Sequence, residues 1–251
     1  MTYCVGLLLQ EGLVMIADTR TNAGVDQVST YRKLHVFEKP GERVLVIATS
    51  GNLSVTQTAL SLLREGLHNP ETGQVETLDQ APTMFRAAQL VGHAVRQVRK
   101  DVVSQGMAAE GINFDVTLLV GGQIRGGDMA LYLVYAAGNF VECGVETPYL
   151  QIGETKYGKP IIDRAVTYDQ ELYDALKIGL ISFDSTMRSN MAVGLPIDLV
   201  VIRRDQFQIE TQHRIDTEDD YFHDLGERWS SALRAAHMAI PVPPYGPKAR
   251  S

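Results

Sequence analysis

The order in which two hydrophobic periods alternate along the chain constrains the fold more than any other feature. Residues 2–9 and 13–17 are apolar, β-branched runs joined by Gln10-Glu11-Gly12, and read as a hairpin that begins at residue 2. A second strand pair follows at 34–37 and 44–48, turned at Pro40-Gly41. Helical spacing then takes over. Thr58, Ala59, Leu62 and Leu63 mark a helix over 54–67, and Val91, Ala94 and Val98 lie in another over 81–105. Strands return at 114–121, 130–136 and 143–151. Helices are expected over 157–165 and 169–187, then strands at 197–202 and 207–212, and a last helix over 218–238. Runs of strands separated by helix pairs indicate segregated α+β layers, not alternating βαβ units. Two central sheets with a helix pair on each outer face satisfy the pattern.

With no internal repeat and no Gly/Ser linker, one domain over 2–240 is the simplest organisation. The tail 241–251, rich in Pro and polar residues, is expected to be poorly ordered. A chain of 251 residues has enough core to fold without disulfides or metals. Its net charge of −7 and the lack of a Lys/Arg cluster disfavour a nucleic-acid partner. No apolar run reaches the roughly 18 residues of a membrane span, and no basic-then-apolar leader stands at the start. Cys4 and Cys143 form no CxxC, the six histidines form no HExxH, and the Gly121-Gly122 and Gly126-Gly127 pairs lack phosphate-loop spacing. The expectation is a cytoplasmic protein with no cofactor, no metal and no membrane partner.

Residue 2 is a threonine, and initiator methionine is normally removed before a side chain that small. Removal would put an α-amine and a hydroxyl on one residue. The amine, with a pKa of about 7.7–8.0, is partly neutral near pH 7.5 and can take the hydroxyl proton. Asp18 stands at the end of the second strand and Lys33 just before the third. Taken singly, these residues also read as a turn aspartate and a solvated edge lysine.

Taken together, the N-terminal threonine, the hairpin ending in Ala17-Asp18-Thr19-Arg20 and the following Arg32-Lys33-Leu34 resemble the start of a proteasome β subunit and of the bacterial HslV peptidase. The stretch Thr49-Ser50-Gly51-Asn52 is similar to the turn before that family's first long helix. The C-terminal segment and local departures fit best with the proteasome-like branch called Anbu, "ancestral β subunit". The resemblance implies a four-layer αββα fold of the N-terminal-nucleophile hydrolase type and threonine-dependent amide hydrolysis. It assigns attack to Thr2, charge stabilisation of the incipient alkoxide to Lys33, orientation of Lys33 to Asp18, and an oxyanion-binding N–H to Gly51. It also implies self-association into rings or related homo-oligomers and a peptide or small amide substrate, and leaves open whether an ATPase partner is needed.

Two departures stand out. Where the family carries a serine near the threonine amine, this chain has Glu154 in Gly153-Glu154-Thr155. A carboxylate there would hold the amine protonated and raise its pKa, or it is a solvated loop residue. Asp184 and Ser189, in the stretch from Phe183 to Asn190, resemble the residues that support the nucleophile's amine in HslV, or form the polar end of a helix. Two other readings stay open: an amidase or transpeptidase acting on a small peptide-like molecule, and a weakly active or non-catalytic assembling subunit. Trp229 with Leu225 and Leu233 reads as an apolar stripe of the last helix, either core or subunit contact.

Overall fold

The structure, a computed structural model, describes residues 2–22, 28–69, 73–104 and 113–245. Among them the chain forms two compact units, one running up to Thr217 and the other from Glu218. The strands of the first unit are β1 Tyr3–Leu8, β2 Gly12–Asp18, β3 Arg20–Asn22, β4 Val28–Thr30, β5 Leu34–Lys39, β6 Arg43–Gly51, β7 Leu67–His68, β8 Val75–Glu76, β9 Val116–Ile124, β10 Ala130–Val134, β11 Phe140–Glu142, β12 Tyr149–Gly153, β13 Ile197–Arg203 and β14 Thr211–Ile215. Its helices are α1 Leu53–Glu65, α2 Met84–Ser104, α3 Lys159–Ala165 and α4 Leu172–Ser189, and α5 Asp220–Ala239 belongs to the second unit.

Two five-stranded antiparallel sheets organise the first unit. One has the order β12-β1-β2-β13-β14 and the other β11-β10-β9-β6-β5. The fold is thus mixed α/β with antiparallel sheets. The continuous apolar run of β6 follows from burial on both faces. Val44, Val46 and Ala48 pack with Leu13, Met15, Ala17 and Leu131 across the two sheets. Leu45 and Ile47 point the other way, into a cluster with Val55, Leu60 and Leu63 of α1 and Val91 and Val95 of α2. Removing each of these side chains from water contributes about 1.5–3 kcal/mol. On the far side, α4 contacts β1 and β2, and α3 contacts α4. Any Cβ at Gly179 of α4 would come within 2.6 Å of Ile16 Cδ1, so this helix lies close against its sheet.

The differences from the sequence reading have local causes. The strand expected at 143–151 is confined to β12, because Pro148 has no N–H for the ladder and Gly144 pairs with Thr147 in an isolated bridge. The strand expected at 207–212 begins at Thr211, because Asp205 and Phe207 take positive φ (64° and 51°) and prolong the turn after β13. The strand expected at 114–121 is β9, Val116–Ile124, and takes in both Gly121 and Gly122. A Cβ on Gly121 would lie 2.7 Å from Leu13 Cδ2 of the opposite sheet, so its absence is what lets the sheets approach. Helix α2 starts at Met84, where Thr83 Oγ1 accepts the Arg86 N–H (3.2 Å), and residue 105 of the expected helix is outside the described residues.

In the second unit the acidic run Glu218-Asp219-Asp220 is a helix start. The Asp219 carboxylate accepts the Phe222 N–H at 2.8 Å and Asp220 opens α5. Leu233 is half exposed. Of the expected tail, residues 246–251 lie outside the described residues.

Candidate active site

The site grows from the end of the first hairpin. β2 ends on Asp18, opposite Ile197 of β13, and the carboxylate is wholly buried. A charge in that position demands a partner. Lys33, 5% exposed, supplies it: Nζ donates to Asp18 Oδ1 at 2.8 Å and to the Arg20 carbonyl at 2.6 Å. The Lys33 backbone is fixed in turn, because its carbonyl accepts the Thr49 N–H at 2.9 Å. The Tyr3 N–H donates to the same Asp18 oxygen at 2.9 Å, tying the residue after Thr2 to the pair. Burial is the largest influence on the Asp18 carboxyl and raises its pKa. The Lys33 charge and hydrogen bond and the Tyr3 and Gly194 amides oppose that rise.

Thr2 precedes β1 and is buried against β12. Its carbonyl accepts the Glu154 N–H at 2.6 Å. Gly153 makes this approach possible. Its φ is +81°, and a Cβ there would sit 2.1 Å from the Thr2 carbonyl oxygen. Gly51 closes β6 with φ +105°, where a Cβ would strike the Asp115 carbonyl at 2.2 Å. Asn52 follows as the cap of α1, its Oδ1 accepting the Ser54 N–H at 3.1 Å and the Val55 N–H at 3.3 Å. Thr2, Lys33, Thr49, Ser50, Gly51 and Gly153 are among the residues lining one cavity of about 350 Å³. The sheet register and the strand-to-helix turn therefore gather a hydroxyl, a buried cation and a glycine turn at a helix start.

The remaining expected residues divide. Glu154 is buried, and both its carboxylate oxygens are engaged: Oε1 accepts the Lys156 N–H at 2.7 Å and Oε2 the Asn190 side-chain amide at 2.9 Å. Asp184 lies on α4 and takes the Arg188 guanidinium at 3.0 Å. Ser189 is the last residue of α4 and is exposed. From this stretch it is Asn190 that reaches the loop beside Thr2. Sequence reasoning passed over Asn190, and also Tyr3, Gln151 and Ser182. Tyr3 had looked like an ordinary strand former. The signal for the helix residues was the spacing Ser182, Thr186, Asn190, which puts polar side chains on one stripe of α4. Burial pushes the Cys4 thiol up, and it bonds weakly to the Thr49 carbonyl, so it behaves as core. Among the described residues no group of three or more His, Cys, Asp or Glu is placed to hold a metal ion, and no helix is long and apolar enough to cross a membrane.

No protein-family model and no curated protein matches the chain, and the relationship rests on solved structures. A mutant Anbu (Gly-1) from Hyphomicrobium sp. strain MC1 is 47% identical, with 96% of this chain and 99% of that one covered and a TM-score of 0.87. Anbu (ancestral beta-subunit) from Yersinia bercovieri is 43% identical over 97% and 100% of the two chains, TM-score 0.87. The helical assembly of the Anbu complex from Pseudomonas aeruginosa is represented by a chain 41% identical over 97% and 98%, TM-score 0.87. Identity of this size along nearly the whole of each chain bears out the resemblance carried by Thr2, Asp18 and Lys33: the chain belongs to the Anbu (ancestral beta-subunit) family.

Proposed function

We propose that this chain is a proteasome-like, threonine-dependent amide hydrolase whose nucleophile is Thr2 after removal of Met1, built on the four-layer αββα plan of N-terminal-nucleophile hydrolases with a single domain over 2–240. The observation that carries the reading is the buried Asp18–Lys33 pair, whose lysine lines the same cavity as Thr2. A buried pair of this kind adds little net stability over apolar residues of equal volume, so its presence calls for a chemical use. In the reaction the Thr2 α-amine takes the proton from Oγ1, and Oγ1 attacks the amide carbonyl. Lys33 favours the developing alkoxide by its charge, and Asp18 holds Lys33 charged and aimed. The oxyanion of the tetrahedral intermediate takes the Gly51 N–H, a contribution typically worth about 2.7–4 kcal/mol. Collapse expels the amine, which leaves with the proton held by the α-ammonium. Water then hydrolyses the ester, and Thr2 is regenerated.

Glu154 favours a restrained enzyme. Its N–H donates to the Thr2 carbonyl, and each oxygen of its buried carboxylate accepts one N–H, from the Lys156 backbone and the Asn190 side chain. A carboxylate on the residue bonded to the Thr2 carbonyl favours the ammonium form of the released α-amine, and the ammonium cannot act as base. Activity on small peptide amides, rising toward alkaline pH, follows from that. Asp184 and Ser189 act at most as outer support for this corner. Self-association into a helical or ring-like homo-oligomer is part of the same reading, supported by the helical assembly of the Pseudomonas aeruginosa relative.

The test is intact mass before and after a peptide epoxyketone or β-lactone, with Thr2→Ala as control. Loss of Met1 and one adduct, absent in the variant, is the expected result. Loss of Met1 without adduct, or retention of Met1, overturns the reading.

A further inference from the structure

Tyr3 follows the proposed nucleophile directly, and its phenol is anchored to two elements at once. Its side chain is fully buried, and its ring lies 4.4 Å from that of Phe183 on α4. Its hydroxyl is 3.0 Å from Ser182 Oγ of α4 and 2.7 Å from Gln151 Nε2 of β12. The proton accounting has one solution. Ser182 O–H donates to the Gly179 carbonyl at 2.6 Å, so Ser182 Oγ can only accept from Tyr3. Gln151 N–H donates to the Tyr3 oxygen, and Tyr3 O–H donates onward to Ser182. Burial raises the phenol's pKa well above its ordinary value, so Tyr3 stays a neutral donor. Gly158, before α3, is required by the same hydroxyl: a Cβ there would sit 2.5 Å from it and 3.0 Å from Thr186 Oγ1.

The polar stripe of α4 thus meets both flanks of Thr2. Ser182 takes the Tyr3 hydroxyl, and Asn190, eight residues on, takes Glu154, whose own N–H holds the Thr2 carbonyl. The Tyr3 N–H meanwhile binds the Asp18 oxygen that also receives Lys33. A shift of Tyr3 would displace the nucleophile on one side and its charge pair on the other.

We propose that Tyr3 is a positioning residue for Thr2: the Gln151–Tyr3–Ser182 hydrogen-bond chain sets where the nucleophile sits relative to Lys33. The proposal rests on the threonine-hydrolase reading and deepens it. An apolar phenylalanine would fill the same volume and keep the Phe183 contact. It would leave the Gln151 amide without its buried acceptor and let the start of β1 relax. A misplaced reacting atom loses rate without losing binding.

The experiment compares wild type, Tyr3→Phe and Ser182→Ala in the full chain. It measures the second-order labelling rate of Thr2 by a β-lactone, kcat and KM on a small peptide amide, thermal melting, and a crystal structure of Tyr3→Phe. The expected result is labelling and kcat reduced about tenfold in Tyr3→Phe, KM within twofold and melting within a few degrees, with a smaller loss in Ser182→Ala. Unchanged labelling and kcat in Tyr3→Phe overturn the proposal while leaving Thr2 as nucleophile, and a lowered melting point alone does the same. If wild type itself fails to label, the hydrolase reading falls separately and the crystal structure decides. Thr2 displaced in Tyr3→Phe then sustains the positioning role, and Thr2 unmoved overturns it.

Discussion

Two carboxylates on neighbouring strands make opposite use of an ion pair. Asp18, at the end of β2, is buried with Lys33, their side chains 0% and 6% exposed. Asp198, one position along on β13, pairs with Arg214 across the β13–β14 ladder, with side chains 11% and 41% exposed. The Asp198 pair is a bidentate fork, Nε to Oδ1 at 2.6 Å and a terminal nitrogen to Oδ2 at 2.7 Å, with Arg32 also 3.9 Å away. Water still reaches the guanidinium, so its desolvation is partial and the geometry is that of a sheet-stabilising cross-strand pair. The Asp18 pair has no such outlet. Its two charges gain each other at the cost of their hydration, and one carboxylate oxygen carries both the lysine and the Tyr3 amide. A pair between strands is explained by the strands. A pair sealed beside a cavity and a threonine has a use in chemistry under the proposed hydrolase reading.

The strongest way to break this contrast is at the proposed nucleophile. Thr2→Ala is expected to abolish electrophile labelling and to lower amide hydrolysis by at least about 10³-fold, with melting unchanged. Residual hydrolysis near the wild-type rate would remove the chemical explanation of the buried pair. Next come the pairs themselves. Lys33→Met leaves an uncompensated buried carboxylate and should cost about 3–5 kcal/mol in denaturant unfolding. Arg214→Met should cost about 1–2 kcal/mol and leave labelling unchanged. The double variant Asp18→Leu/Lys33→Met is expected to regain most of the stability and none of the activity. Equal costs for the two single variants would erase the distinction.

Acid sharpens the comparison from the Asp198 side. His35 on β5 is pushed down to about 4, first by burial and then by the Arg64 and Arg32 charges, with Asp198 opposing. The unfolded chain, whose histidine titrates near 6.5, therefore takes up the proton before the folded one does. Stability present above pH 6.5 is lost as pH falls toward about 4, by about 1–3 kcal/mol. Unfolding free energies over that range should show the slope in wild type and lose it in His35→Leu. The smallest effect is expected at Glu154. Glu154→Ser removes the carboxylate that favours the Thr2 ammonium, lowers the amine pKa and moves the rising limb of the pH–rate profile to lower pH. A gain of about three- to tenfold at pH 7 corresponds to a shift of up to about one unit. A profile that does not move would show that Glu154 serves the loop alone.

Sequence by itself determined the elements and the chemistry on offer. The short β-branched apolar run from Val44 to Ala48, bounded by the Pro40-Gly41 turn, and the apolar spacing through Val91, Ala94 and Val98 indicate a strand and a helix. Thr2, Asp18, Lys33, Gly51 and Glu154 were legible through the resemblance to proteasome β subunits, since taken singly each also reads as an ordinary terminal, turn, edge or loop residue. The tertiary structure decided the rest. Asp18 and Lys33 meet because the β2 end and the segment before β5 are folded over one another, a contact between residues fifteen apart that no local period encodes. Gln151, Ser182 and Asn190 come to Tyr3 and Glu154 from far along the chain, through the β1–β12 register and the seating of α4. Hydrogen-bond partners of that kind depend on distance in space, and sequence separation does not report it. Asp184 and Ser189 show the converse. The resemblance pointed to their stretch of α4, and helix geometry turned Asp184 to Arg188 and Ser189 to the exterior, leaving Asn190 to reach the site.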